Sequence, residues 1–356
     1  MNVLGLDIGG ANTKAAYVRS EAGILKEIRT AQKYFPMWKN PDGLSAVLTE
    51  LTEKIRDGES LEAVGVTMTA ELSDTYQTKR EGVNHILNQV KNVFSEIEIC
   101  VMSVDGTLRD LRSAREEPLK VAAANWAATG WLVSKLIRDC VVVDVGSTSA
   151  SIIPIAHGDV SADGVTDLEK LINGELVYTG SLRTNVATIV SSVPTEFGIS
   201  RVSSELFATS GDVHLILGNI SAKDYNAETA DGKDKTKAAA FARLARVVCA
   251  DLEMLSKSEI VRIAQYVYHR QVEQVADGLT QVYKRANEEA RAKIPVVITG
   301  LGKDFLARRA AEKAGIGGII DFNDLVPGKA AAVSTAVAVA FMLVNTLEGG
   351  IMQWRQ

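Results

Sequence analysis

The first eighteen residues set an apolar run against a short polar break. Leu4 to Ile8 is apolar except for Asp7. Gly9, Gly10, Asn12, Thr13 and Lys14 then interrupt, and Ala15 to Val18 resumes with strand-forming residues. The pattern predicts a β-hairpin over residues 3–18. An amphipathic helix is expected over about residues 42–57 and a buried strand over Val64 to Met68, ending in the polar segment Thr69 to Asp74. Glu81 to Ser95 places Val83, Ile86, Leu87, Val90, Val93 and Phe94 on one helical side. Ile97 to Val104 reads as the next strand, closed by the turn signal Asp105-Gly106. Lys120 to Arg138 reads as a long helix with a small-residue face of Ala122, Ala123, Ala127 and Gly130.

A second hairpin follows over Val141 to Ile155, built to the plan of the first. Aligning Asp7 with Asp144 also aligns Gly9 with Gly146. Residues 160–290 are mostly helical in pattern and include a polar, solvated loop at 224–237. A strand, the turn Gly300-Leu301-Gly302 and a helix to about Ala314 come next. The Ala-rich stretch from Ala330 to Val344 is short of the roughly 20 residues a membrane span needs, so a closely packed core helix is expected there. The implied division is a first domain of residues 1–138 with 330–356, and a second of 139–329 carrying a helical insertion at about 160–290.

Two acids inside otherwise apolar strands are costly to bury without a cation or hydrogen-bond partners. Facing one cleft, they would hold a metal ion and the phosphates it carries. Two common phosphate sites are excluded. No G-x-x-x-x-G-K-[ST] string is present, and after Gly9-Gly10 the chain continues as a strand rather than opening a dinucleotide-binding helix. What remains is the α/β actin-like, sugar-kinase-like (ribonuclease H-like) bilobal fold. In it each of two domains opens with an acidic hairpin, and a third glycine turn, here Gly300 and Gly302, covers an adenosine. The bland alternative is that Asp7 and Asp144 merely form turns.

The chain of 356 residues is 46% hydrophobic and 23% charged, the balance of an ordinary globular protein. A net charge of -5 argues against a nucleic-acid partner. Three scattered cysteines and the lack of a basic apolar leader point to a reduced, cytoplasmic setting with no membrane association. The four histidines stand apart from any metal-binding spacing.

Several strings narrow the reading: Thr69-Ala-Glu-Leu-Ser-Asp74, Lys79-Arg80-Glu81-Gly82-Val83, Asp144-Val-Gly-Ser-Thr148 and Tyr178-Thr-Gly-Ser-Leu-Arg183-Thr184. With them the chain resembles the hydantoinase/oxoprolinase superfamily. Tyr34-Phe-Pro-Met-Trp-Lys39, Glu205-Leu-Phe-Ala-Thr209 and Val296-Val-Ile-Thr-Gly-Leu-Gly302 resemble its short branch linked to tetrahydromethanopterin- and methanofuran-dependent one-carbon metabolism. The resemblance implies a step of methanofuran biosynthesis, in which an aminomethyl-furan-methyl diphosphate meets the phenol of γ-glutamyltyramine. An aryl ether forms and diphosphate leaves. It implies Mg²⁺ on Asp7 and Asp144, with phosphate oxygens held by Gly9, Gly10, Asn12, Thr13, Lys14, Gly146, Ser147, Thr148 and Arg80. Lys79 is a further substrate-binding candidate, Arg183 one for the glutamyl carboxylate, and Glu71 or Asp74 the base for the phenol. One departure stands out: the family's usual Asp at the end of the second hairpin is Ser151 here. An ATP-dependent kinase or cyclic-amide hydrolase, and a non-catalytic nucleotide-binding regulator, remain open, as do ATP binding and a homo-oligomer.

Overall fold

In the computed structural model, residues 1–326 and 333–349 are described. The expected first-domain residues 330–332 and 350–356 lie outside them. The chain opens with three antiparallel strands, β1 (Asn2–Ile8), β2 (Asn12–Glu21) and β3 (Ile24–Tyr34). Helix α1 (Leu44–Arg56) leads to β4 (Ala63–Met68), α2 (Lys79–Val93) to β5 (Glu98–Met102), and β6 (Leu108–Asp110) and α3 (Leu111–Glu116) follow. The resulting sheet has the order β3-β2-β1-β4-β5-β6, with β4 and β5 parallel to β1. Strand β3 was not anticipated; it abuts the predicted hairpin through the tight turn at Ala22 and Gly23, both at positive φ.

Helix α4 (Asn125–Ser134) then crosses to the second sheet. The long helix expected from Lys120 is shorter, because Ala123 takes a left-handed conformation that no α-helix continues through. Strands β7 (Cys140–Val145), β8 (Ala150–Ala156) and β9 (Asp159–Val160), helix α5 (Asp167–Ile172) and β10 (Leu176–Val177) follow. After them come α6 (Val186–Ile189), the ribbon β11 (Ser192–Thr195) and β12 (Gly198–Arg201), α7 (Ser210–Leu217), α8 (Lys237–Arg246) and the long α9 (Lys257–Ala290). The chain re-enters the sheet at β13 (Val296–Thr299), then passes through α10 (Arg308–Lys313), β14 (Ile319–Asp321) and α11 (Ser334–Val344). The second sheet runs β10-β8-β7-β13-β14.

Both sheets therefore share one plan: an acidic hairpin, an antiparallel neighbour on one side, and two parallel strands on the other. This is the actin-like architecture read from the two hairpins. The insertion separates β10 from β13, so it begins later than expected, after Val177. Its polar loop is also less solvated than its composition suggests. Asp231 accepts from Arg243 and Arg246, and the fully buried Arg243 also pairs with Asp212. Of the cysteines, Cys140 packs in the core and Cys249 is exposed. No helix among the described residues is long and apolar enough to cross a membrane.

The sheets are joined by a continuous apolar layer. Residues of β1 and β2, Ala336 to Val344 of α11, half of α4, and Val142, Ile153, Ile155 and Val297 from the second sheet form one buried cluster. Every residue of α11 is buried, and Thr335 hydrogen-bonds Thr129 of α4 at 3.2 Å. Close approach requires glycine on the strands beneath. A Cβ on Gly5 would stand 2.0 Å from the carbonyl oxygen of Ala336 and 2.8 Å from the amide nitrogen of Ala340.

Gly5→Ala should thus force α11 off β1 and cost roughly 2–3 kcal/mol in urea unfolding, as overpacking does. Gly317→Ala, where an added Cβ meets nothing within 4 Å, is the control and should leave the midpoint in place.

Candidate active site

The carboxyl ends of β1 and β7 point into the space between the sheets, where open α/β folds place their ligands. The two hairpins have the same internal register. Asp7 lies opposite Lys14, and Asp144 lies opposite Ser151, seven residues on in each case. Their turns close alike: the Gly9 N–H donates to the Asn12 carbonyl at 3.0 Å, and the Gly146 N–H to that of Ser149 at 2.9 Å. Asp7 and Asp144 line one cavity of about 150 Å³ with Gly9, Gly10, Asn12, Lys14, Gly146, Ser147, Thr148 and Gly300.

Three charges meet there. The Lys14 ammonium donates to the Asp7 carboxylate at 3.2 Å. Burial works to strip Lys14 of its proton, but Asp7 and Asp144 outweigh it and hold the ammonium above its ordinary range. Asp144 is half-buried, and its removal from bulk solvent pushes its carboxyl up to about 6. Lys14 pulls against that rise, Asp7 adds to it, and a hydrogen bond from Ser334 at the start of α11 opposes it. One ammonium does not balance two carboxylates in this space, so the donor set fits a further cation. Among the described residues no cluster of three or more metal-binding side chains occurs. Two carboxylates suit Mg²⁺, which takes its remaining ligands from water and phosphate.

A second cavity of about 490 Å³ adjoins the first and shares Gly10, Thr69, Asn125, Thr148 and Ser149 with it. Its walls add Trp38, Trp126 and Tyr178, the polar residues Ser73, Asp74, Ser151, Asp167, Lys170 and Arg183, and apolar Leu72 and Leu176. Each turn carries a strap that forms this wall. The Phe35 and Met37 amides donate to the Ala11 and Gly10 carbonyls at 2.9 Å, which sets Trp38 in place. On the second turn, the Ser181 amide donates to the Gly146 carbonyl, and those of Leu182 and Arg183 to Ser147. Gly180 allows that contact, since a Cβ there would lie 2.5 Å from the backbone of Thr148. The straps meet where the Arg183 guanidinium lies 4.6 Å from the centre of the Trp38 ring.

Some expected residues lie elsewhere. Thr13 is fully buried and lines neither cavity, because alternation along β2 turns it away from Asn12 and Lys14. Arg80 is exposed on the first turn of α2 and lines neither cavity, so the structure gives it no contact with a bound phosphate. Gly302 also lines neither; it is small because a Cβ would strike Val145 and Ser181. Gly300 lines the small cavity, and a Cβ there would stand 2.5 Å from an Asp144 oxygen. Lys79 bridges the lobes, 2.6 Å from Asp167 and 3.9 Å from Glu71. Asp74 stands on the chamber's exposed rim. Glu71 is buried and lines neither cavity; its burial, opposed by Lys79, pushes it up to about 7.

Sequence reasoning missed Trp126, Asn125, Asp167 and Lys170, which only the fold brings to the chamber. Trp38 and Tyr178 did fall within strings already singled out, and an aromatic beside a turn-binding strap was their signal.

The hydantoinase/oxoprolinase family model matches residues 62–344. A curated protein of Methanocaldococcus jannaschii, named (4-{4-[2-(gamma-L-glutamylamino)ethyl]phenoxymethyl}furan-2-yl)methanamine synthase, is 35% identical over 97% of this chain and 98% of its own. A protein of the same name from Methanococcus vannielii is 34% identical over 59% of this chain and 93% of its own. Among solved structures, a nucleotide-free acetone carboxylase aligns with a TM-score of 0.57 at 13% identity, over 96% of this chain and 70% of that one. At that identity the likeness is one of fold.

Glu71 supplies a stability test. Its folded pKa of about 7 lies above its ordinary 4.5, so the folded chain holds the extra proton between those values. Stability from this group is full below about pH 4.5 and falls as pH rises through about 7. Glu71→Gln should flatten that fall and, above about pH 8, exceed the parent by something on the order of 3 kcal/mol. Urea midpoints at low and high pH would show it, and parallel curves for the two proteins would refute it.

Proposed function

This chain belongs to the hydantoinase/oxoprolinase family, and we propose that it is a transferase of methanofuran biosynthesis. It joins an aminomethyl-furan-methyl diphosphate to the phenol of γ-glutamyltyramine, making an aryl ether and releasing diphosphate. The observation that carries the reading is the near end-to-end match to a synthase whose name contains that ether. The join between a small charged cavity and a larger aromatic one supports it, because the reaction splits a substrate along that line.

In this reading diphosphate occupies the small cavity and the two rings occupy the chamber. The furfuryl carbon parts readily from oxygen, since the ring oxygen delocalises positive charge. The electron pair of the broken C–O bond leaves on diphosphate, and the phenol oxygen bonds to the carbon. Catalysis then rests on stabilising the departing charge, the electrostatic role that pre-aimed donors perform best. The turn residues Gly9, Gly10 and Asn12, and Gly146, Ser147 and Thr148, line the cavity to receive phosphate oxygens, and Lys14 adds a point charge. Asp7 and Asp144 would hold Mg²⁺, which supplies countercharge to the diphosphate. Trp38 and Tyr178 line the chamber with aromatic surface for the rings. The phenol, ordinarily near pKa ~10, must lose its proton. Of the two acids expected for that step, Asp74 is the one that lines the chamber.

The activating energy already lies in the substrate's C–O–P bond, so turnover needs no nucleotide. Furan diphosphate, γ-glutamyltyramine and Mg²⁺ without ATP should yield ether and one diphosphate per ether. Strict dependence on ATP with release of ADP would replace this reading by a kinase or an ATP-dependent hydrolase. Asp144→Asn should lower kcat by about 100-fold or more while leaving the thermal transition cooperative. Full activity in that variant would remove Asp144 from the site.

A further inference from the structure

The chamber holds two cations, and they stand at different places in it. Arg183 donates to the Thr148 hydroxyl at 3.2 Å, and Thr148 lines both cavities. Arg183 is thereby tied to the phosphate end. Lys170 lines the chamber alone, only 2% exposed, with its ammonium 3.3 Å from the centre of the Trp126 ring. A lysine so buried normally owns a carboxylate, but this one has a share only. Its partner Glu175 is 3.4 Å away. That carboxylate already receives Arg285 at 2.7 Å and the amides of Asp163 and Gly164 at 2.8 and 3.0 Å. Arg285 is itself bound to Asp163 at 2.8 Å. Glu175 is well supplied without Lys170. The chamber lining also carries Asp167, which shares the short helix α5 with Lys170 and takes Lys79 at 2.6 Å.

A cation with a free share of charge, an acid beside it that it shares with Lys79, and an aromatic wall make a two-pole pocket. From this we propose that Lys170 binds the α-carboxylate of the acceptor's γ-glutamyl head, with Asp167 facing its α-ammonium. Arg183, expected at that carboxylate, belongs instead with the leaving diphosphate. The inference rests on the reading above for the identity of the acceptor. It makes Lys170 the residue that distinguishes γ-glutamyltyramine from free tyramine, which has the same phenol without the amino-acid head. The electrostatics agree: burial holds Lys170 down to about 8, against the pull of Glu175 and Asp167 and with the push of Arg285, so an incoming carboxylate would hold its proton more firmly.

The test compares two acceptors in three proteins. The parent should prefer γ-glutamyltyramine to tyramine. Lys170→Gln, which can still donate to Glu175, should lower kcat/KM for γ-glutamyltyramine roughly 10- to 100-fold, through KM, and leave that for tyramine within a few-fold. Lys170→Arg keeps a cation over Trp126 and should restore the preference. An equal loss with both acceptors would make Lys170 a general structural or chemical residue and overturn the assignment, as would no loss at all. Calorimetric binding of each acceptor repeats the comparison without turnover. A parent that binds γ-glutamyltyramine selectively through Lys170 but makes no ether would sink the transferase reading and keep this one. A parent that makes ether with an unaltered Lys170→Gln preference would do the reverse.

Discussion

Everything at the site depends on how closely α11 lies against the first sheet. Helix and strand approach so nearly at Gly5 that no side chain fits between them. The same helix packs on α4 and, through one apolar layer, on the second sheet. Two hairpins from distant parts of the chain are thus held face to face by a seam that is apolar but for a few hydroxyls, the Thr129–Thr335 pair among them. The first residue of that helix, Ser334, reaches Asp144. The packing that fuses the lobes and the polarity of the cavity are therefore set by one element.

The charges in the cavity are the cost of that arrangement. Strand ends bring Asp7 and Asp144 into confined space, and Lys14 answers them only in part. An imbalance of this kind is unfavourable in the empty protein and favourable once a cation and an anion enter together. On the reading proposed above, it suits a site that binds a highly charged leaving group and lets it go.

The hairpins and the seam helix were legible in the sequence because each is a local pattern: an acid inside an apolar strand, a glycine two residues on, a run of small apolar residues. The boundaries of α1 and α2 followed from spacing for the same reason. The chamber was legible only in part. Lys170 and Asp167 sit in a stretch whose pattern says only that it is helical; Leu168 and Ile172 turn outward, and only the antiparallel pairing of β10 with β8 brings their helix to the cavity. Thr13 misled for a different reason: within a turn, composition says nothing about which face of the following strand a residue takes. Arg80 and Lys79 are adjacent, yet one bridges the lobes and the other meets solvent, as helical rotation of about 100° per residue dictates.

The shared register of the two hairpins has one more consequence. Position seven after the acid carries Lys14 in one and Ser151 in the other. A duplicated scaffold would by itself give a cleft with the same potential on both walls. This single difference polarises the cleft: on the first hairpin an ammonium answers the acid, and on the second a hydroxyl stands where that ammonium would be. A ligand with a charged end and an uncharged end therefore has one preferred direction of entry, decided by two side chains at equivalent points of a near-twofold frame.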